Sequence, residues 1–325
     1  MMVALVNPRP GQRICDPACG TAGFLIAALT YILLQHTKPA DLRLGLADGS
    51  LLKPSQWKFL EEQAFTGYDN DANMVKIAIL NLYLHQLERA HVTHHNPLTT
   101  GSGSGTYPGL MFDVILANPP FAGKIQEESI LADLNHRLDT RSTELLFLKW
   151  FIDHLAPNGR AGVIVPNGVL FGSTNAATKL RELLLTECEL QAVVSLPSGV
   201  FKPYSGVGTA ALIFQKGKPT QSVWFYDLTA DGFSLDDKRT PIEANDLPDL
   251  LAKWPNREEG TNSYRVPIEK IRENDWSLAA GRYKLVTSEA ASRDSPKTIL
   301  GEVLKAEAQI IKRGNALLAQ IGGKK

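Results

Sequence analysis

The sequence predicts an α/β protein built on a mostly parallel sheet with an antiparallel end. Strand-like and helix-like segments alternate from about residue 12 to residue 196, and strands separated by helices pair in parallel with the helices covering the sheet. The segment Phe112-Asp113-Val114-Ile115-Leu116-Ala117 is almost continuously apolar, as a strand buried on both faces requires. Later, Ala210 to Phe214 and Val223 to Tyr226 follow one another with no helix between them, which predicts the antiparallel end.

The elements are expected in the following order. A strand from Gln12 to Cys15 runs into a Gly-containing turn, Asp16 to Gly23, and a helix from Phe24 to Gln35 that is apolar nearly all round and therefore buried. After a loop (Lys38 to Lys58), Ala64 to Tyr68 reads as a strand and Asp71 to Arg89 as a helix, with Asp71 as its N-cap. Thr99 to Thr106 is rich in Gly, Ser and Thr and reads as a surface loop. The apolar strand at Phe112 to Ala117 comes next, then a polar excursion from Gly123 to Thr140. A helix from Thr143 to Leu155 ends at Pro157-Asn158-Gly159, and strand Ala161 to Val165, helix Thr178 to Thr186 and strand Gln191 to Leu196 continue the alternation. From about Asp231 the pattern fades into a charged, irregular segment. Thr298 to Gln320 reads as a lone helix with an apolar stripe of Leu300, Val303, Leu304, Ile310, Ile311, Leu317 and Leu318. That stripe suits a partner as well as its own domain. Three regions result: residues 1–230, an irregular 231–295, and a terminal helix over 296–325.

Composition narrows the function. The 325 residues hold 34 basic and 34 acidic side chains, so there is no formal net charge. A protein that gripped DNA alone through phosphates would show a basic surplus, so a partner is expected to share that work. Cys15, Cys19 and Cys188 have neither zinc-ligand spacing nor a disulfide framework and read as buried thiols of a reducing cytoplasm. His91, His94 and His95 lack a fourth ligand and read as surface or loop residues, and no metal site is expected. The opening segment is not a signal peptide, and no stretch reaches the roughly 20 apolar residues that span a membrane. A soluble, cytoplasmic chain is expected.

Two constellations carry chemistry. In Asp16-Pro17-Ala18-Cys19-Gly20-Thr21-Ala22-Gly23-Phe24 a strand feeds a helix, and ligands of doubly wound folds bind at the carboxyl ends of strands. Gly20 and Gly23 permit positive φ and close backbone approach, and the helix N-terminus offers free N–H groups. Asp69 ends the next strand, where it would accept ribose hydroxyls; alternatively it caps the following helix. The Gly20-x-x-Gly23 spacing with Asp16 in front differs from the G-x-G-x-x-G of dinucleotide sites. It suits an amine better than a pyrophosphate.

Asn118-Pro119-Pro120-Phe121 directly follows the apolar strand, so it leaves the same edge of the sheet. The prolines fix the backbone around Asn118. The Asn118 amide oxygen and the Pro119 carbonyl can accept hydrogen bonds from a planar amino group, and Phe121 offers a face to a flipped base. The plain alternative is a Pro-Pro loop that ends a strand.

With these motifs the chain resembles the amino-methyltransferase superfamily, and within it the modification subunits of type I restriction-modification systems. DPACGTAGF resembles the first motif, TGYDND the second and FDVILANPPF the catalytic motif. Gly159 to Gly172 (GRAGVIVPNGVLFG) and Val193 to Gly217, with VVSLPSGVF and SGVGTAALIFQKG, resemble blocks more particular to type I subunits. Trp276-Ser277-Leu278 and Arg282-Tyr283 are a fainter echo.

The resemblance implies a Rossmann-like methyltransferase fold over residues 1–230 and methyl transfer from S-adenosyl-L-methionine to adenine N6 in DNA. It implies that Asp16, Pro17, Ala18, Gly20, Thr21, Gly23 and Asp69 bind the cofactor, with Asn96 near the cofactor adenine. Asn118, Pro119, Pro120 and Phe121 would form the catalytic pocket. DNA, a specificity subunit and a restriction subunit are the implied partners. Ala22 departs from the family's usual glycine. The family also carries a helical region and a threonine-proline motif ahead of the first strand, and this chain starts too late to contain them; a fragment, an internal start and a split gene all fit. Three alternatives stay open beside DNA methylation: a protein-glutamine substrate, an RNA base, and an inactive, complex-forming subunit.

Overall fold

A computed structural model of the chain describes residues 1–99, 110–126, 130, 134, 138–284, 300, 304, 307–311 and 313. Side-chain alternation along the buried strands builds its sheet. The strands are β1 (Ile14–Asp16), β2 (Phe65–Asp69), β3 (His91–His94), β4 (Phe112–Ala117), β5 (Leu155–Pro166), β6 (Cys188–Leu196), β7 (Thr209–Lys216), β8 (Ser222–Asp227), β9 (Asp231–Phe233), β10 (Pro241–Asn245) and β11 (Ser263–Pro267). Nine of them form one sheet in the order β11-β8-β6-β7-β5-β4-β1-β2-β3, and β9 and β10 pair separately. On β4, Val114 and Leu116 enter one core while Ile115 and Ala117 enter the other. Strand β8 divides the same way, with Val223 and Phe225 on one face and Trp224 and Tyr226 on the opposite one. A strand buried on both faces needs apolar residues at every position, and these segments supply them.

Helices cover both faces: α1 (Met2–Val6), α2 (Gly23–Gln35), α3 (Pro39–Arg43), α4 (Pro54–Glu62), α5 (Ala72–Leu84), α6 (Thr143–His154), α7 (Asn167–Phe171), α8 (Asn175–Glu187), α9 (Leu247–Lys253) and α10 (Ile268–Arg272). Helix α1 precedes the expected first strand and buries Met2, Val3, Leu5 and Val6. Gly162 of β5 admits it, because a Cβ there would lie 2.7 Å from Val6 Cγ2. Helices α3 and α4 occupy the expected loop 38–58, each opened by a proline whose missing N–H costs a helix nothing at its first position. Asp71 caps α5 as expected, accepting the Asn73 N–H at 2.7 Å. The helix stops at Leu84 rather than Arg89, two residues before Gln86 takes a left-handed φ of 65°.

Two expectations about the sheet are corrected. Strands β7 and β8 are not neighbours: β7 inserts antiparallel between β5 and β6, and β8 pairs in parallel with β6 on its other side. The β7–β8 connection passes across the start of β6 and is tied there. The Gly217 N–H donates to Glu187 O (3.1 Å), the Thr220 N–H to Leu185 O (2.9 Å) and the Thr220 hydroxyl to Cys188 O (2.7 Å). The segment after Asp231 is not irregular either. It carries β9, β10, α9, β11 and α10, and β11 joins the sheet antiparallel to β8. One compact unit spans Met1–Tyr283, and Lys284–Lys325 form a second. Within the second unit the described residues from Leu300 onward are helical, and Leu300, Leu304, Ile310 and Ile311 are exposed. Val303, Leu317 and Leu318 of the expected stripe lie outside the described residues, as do residues 100–106 of the expected surface loop and much of the excursion before Thr140. Among the described residues no helix is long and apolar enough to cross a membrane.

A buried arginine joins the end of the first unit to its centre. Arg181 on α8 is 2% exposed. Its guanidinium donates to the carbonyls of Val169 (3.1 Å), Gly172 (3.0 Å), Trp276 (2.9 Å) and Asp275 (3.5 Å) and to the Thr178 hydroxyl (3.2 Å). The rigid fork of donors spans two chain segments that α8 alone would not connect. The Leu278 N–H adds a bond to Leu170 O at 2.8 Å. Arg181→Met keeps volume but strips donors from buried carbonyls, so it should lower stability by about 3 kcal/mol. Urea unfolding measures this; a loss below about 1 kcal/mol would mean the carbonyls find water instead.

Candidate active site

The short strand β1 pairs in parallel with β2 on one side and β4 on the other. It leads away from β4 through α2 to β2 and β3, while the chain returns to β4 on its opposite side. This is the switch point of the sheet, where a crevice opens at the carboxyl ends. Three of the expected groups meet there: Asp16 ends β1, Asp69 ends β2 and Asn118 follows Ala117 at the end of β4.

The turn after β1 is built on hydrogen bonds to β2. The Cys19 N–H donates to Tyr68 O at 2.9 Å, and the Gly20 N–H donates to Asp69 Oδ2 at 2.9 Å. Asp69 Oδ1 accepts the Asp71 N–H at 2.8 Å. Asp69 is therefore not the cap of α5, a role that falls to Asp71, and each of its oxygens keeps acceptor capacity. The Thr21 carbonyl accepts from Asn81 Nδ2 at 2.8 Å, which ties the turn to α5.

Gly20 adopts φ 52° as expected, but Gly23 does not supply the second left-handed residue. Ala22 does, with φ 66° and its side chain wholly buried, because Gly23 already begins α2. A Cβ added to Gly20 or Gly23 would meet nothing within 4 Å, so open space lies before the turn. No side chain caps α2, so its first N–H groups have no side-chain acceptor.

Asp16 is 2% exposed and accepts the Ala18 N–H at 3.1 Å. Burial pushes its carboxyl up to about 7; the Ala18 hydrogen bond opposes that and the neighbouring Asp69 charge adds to it. A buried carboxylate with so little compensation favours a cation beside it. Pro17 is buried and Thr21 is exposed.

At the end of β4, Asn118 is exposed, Pro119 is buried, Pro120 is exposed and Phe121 is half-buried. Phe121 meets Phe201 edge-on, with ring centroids 5.2 Å apart and planes at 69°. Sequence reasoning did not single out Phe201; its signal was the aromatic that closes the LPSGVF block. Asn167, also missed, opens α7 at the end of β5, and its N–H donates to Gly208 O at 2.9 Å. Asn96 lies beyond β3 and beside the end of β2, with its Oδ1 accepting the Leu98 N–H at 3.1 Å. Of the histidines, His91 and His94 are exposed, but His95 is buried against Tyr68 with ring centroids 5.6 Å apart. The described residues contain no metal-binding cluster.

Ala22 holds a conformation that costs an L-residue about 1–2 kcal/mol, which outweighs the roughly 0.8 kcal/mol of one buried methyl. Ala22→Gly should therefore stabilise the protein by about 0.5 kcal/mol. Thermal unfolding reads the change, and a lowered Tm would mean that methyl packing outweighs the backbone strain.

Comparison with known proteins agrees with this geometry. The family model described as N-6 DNA Methylase matches residues 1–292. The EcoEI type I restriction enzyme methylase subunit of Escherichia coli is 32% identical over 331 residues, covering 99% of this chain and 63% of that protein. The EcoKI methylase subunit of Escherichia coli K12 is 30% identical, covering 89% of this chain and 52% of the relative. A solved chain from a study of complex assembly and conformational transition in the type I R-M system superimposes with a TM-score of 0.72 at 26% identity, covering 100% of this chain and 66% of that one. The chain thus spans between about half and two thirds of the length of these relatives. With a family match across nearly its whole length and the cofactor-type and amino-group-type motifs on one sheet edge, the chain belongs to the N-6 DNA methylase family.

Proposed function

We propose that this chain transfers a methyl group from S-adenosyl-L-methionine to the N6 amino group of adenine in DNA, as the modification subunit of a type I restriction-modification complex. The observation that carries the proposal is the meeting of Asp16, Asp69 and Asn118 at the carboxyl ends of three adjacent parallel strands. The family description and the names of the relatives favour DNA adenine over an RNA base or a protein glutamine. The partners that fit are DNA, a specificity subunit and a restriction subunit.

The residues present fit the cofactor. Asp16 faces the need for a cation and suits the ammonium of the methionine end. The open turn at Ala18, Gly20, Thr21 and Gly23 admits close backbone approach, and Pro17 stiffens its start. Asp69 retains acceptor capacity for ribose hydroxyls, and Asn96 is proposed to face the adenine. When bound, S-adenosyl-L-methionine supplies an electrophilic methyl group on a sulfonium.

The protein's own task is to prepare the nucleophile. The Asn118 amide oxygen and the Pro119 carbonyl accept the two N6 hydrogens of an extruded adenine, drawing the nitrogen lone pair out of the ring. Pro119 and Pro120 restrict the backbone so that the two acceptors stay aimed. Phe121, braced by Phe201, offers a stacking face. The nitrogen becomes cationic on methylation, and the excess proton then leaves to solvent, so no strong base is needed.

Two outcomes are expected. Asn118→Ala should lower methylation by at least about a hundredfold, the scale of losing one preorganised polar contact at a reacting centre, while calorimetry shows unchanged cofactor affinity. Activity close to that of the wild type would remove Asn118 from the mechanism. Cofactor affinity should also rise with pH between 6 and 7, because the ligand's cation favours the charged form of Asp16 and binding releases the proton held below about 7. The slope approaches about tenfold per pH unit, and Asp16→Asn should flatten it. A pH-independent affinity in the wild type would exclude this coupling.

A further inference from the structure

The loop between β6 and β7, residues 197–208, leaves the carboxyl edge of the sheet beside the catalytic motif. Its two ends are held there, since Leu196 and Thr209 are register partners and Thr209 also faces Pro166 of β5. Gly199, at φ 100°, sits so close to its neighbour that a Cβ would lie 2.7 Å from Leu235 O. Gly208 is equally crowded, 2.6 Å from Asn167 Nδ2 by the same measure. Inside the loop the Lys202 N–H donates to Gly199 O (3.0 Å), the Ser205 N–H to Phe201 O (3.0 Å) and the Val207 N–H to the Ser205 hydroxyl (3.2 Å). The loop is therefore a folded projection, not a slack connection. Phe201 anchors it on Phe121 of the catalytic motif.

At its tip Tyr204 is 95% exposed. A tyrosine normally buries much of its ring, and the hydrogen bonds on either side of this one hold it outward. Lys124, three residues after Phe121 of the catalytic motif, is exposed and suited to a phosphate backbone, whereas Lys202, next to the loop anchor, is half-buried and paired with Asp237 at 3.7 Å.

We propose that Tyr204 is a wedge residue that enters the duplex when the target adenine leaves it, taking over the stacking that the extruded base gives up. This rests on the proposed adenine methylation. Flipping a paired base costs a few kcal/mol of stacking and pairing, and architectural proteins show that a side chain can lodge between base steps in a duplex. A ring presented by a preorganised loop does so without an added ordering cost. Phe121 and Tyr204 then divide the work: Phe121 stacks on the base that has left, and Tyr204 fills the gap. The Phe121–Phe201 contact sets the span between them.

The test uses the full chain together with its co-purifying specificity subunit, tritiated S-adenosyl-L-methionine and one adenine-containing strand. The strand is offered fully paired, and again with its adenines opposite abasic sites, where no pairing need be broken and the gap is already open. Tyr204→Ala should reduce transfer to the paired duplex about ten- to a hundredfold, and transfer to the abasic-opposed adenines by no more than about twofold. Tyr204→Phe and Tyr204→Trp should restore the paired rate, since the ring rather than the hydroxyl is used. Calorimetric cofactor affinity should be unchanged in all three variants. An equal loss on both substrates would place Tyr204 against the extruded base or in the general fold and overturn the wedge. Unchanged methylation, with loss of co-purifying subunits instead, would assign the ring to a protein interface and overturn it too. If the wild-type complex binds cofactor yet methylates neither substrate, the adenine-methylation reading fails and this inference fails with it.

Discussion

Three residues, Ile14–Asp16, form the strand on which the arrangement of the site depends. Because β1 hydrogen-bonds in parallel to β2 and β4 at once, the carboxyl ends of all three strands fall on one edge. The Asp69 carboxylate then locks that edge by holding the Gly20 and Asp71 N–H groups from two chain segments. A strand this short has few ladder bonds of its own. Its position comes from Ile14 and Cys15, fully buried between the two cores, and from the neighbours that flank it.

The price of this geometry is concentrated at two residues. Ala22 sits in the left-handed region with no room outside the core, and Asp16 is buried with one backbone hydrogen bond and a second carboxylate nearby. Both features tighten the turn against β2, and both make it demanding of a ligand. The cation and hydrogen-bond donors of S-adenosyl-L-methionine answer those demands in the proposed function. Strain and unmet charge at a binding turn are where a fold commonly departs from its most stable form.

The far end of the first unit supports the same edge from the other side. Arg181 and the Leu278–Leu170 bond hold α7, which starts at Asn167 where β5 ends. Asn167 in turn meets Gly208, so the loop that carries Phe201 and Tyr204 is braced against the end of β5. The Trp276-Ser277-Leu278 and Arg282-Tyr283 motif thus has a packing role: Trp276 O accepts from Arg181 and the Tyr283 hydroxyl donates to Ser277 O at 2.6 Å.

The placement of the candidate site residues at strand ends was legible in the sequence. Asp16, Gly20, Asp69 and Asn118-Pro119-Pro120-Phe121 each end or follow a strand whose apolar run is readable by eye, and alternation with helices made those strands parallel. Asp71 as a cap and Gly20 at positive φ follow from side-chain chemistry within a few residues. Tertiary structure alone decided the rest. Whether Gly23 or Ala22 takes the left-handed angle depends on where α2 begins. The insertion of β7 between β5 and β6, and of β11 at the sheet edge, depends on pairings between strands distant in sequence. Arg181 takes its role only when Asp275 and Trp276 are brought beside it, and Phe201 only when Phe121 is. Periodicity and turn chemistry act over a few residues and are written in the chain, whereas register between remote strands and contacts between remote side chains are selected by the collective burial of both cores.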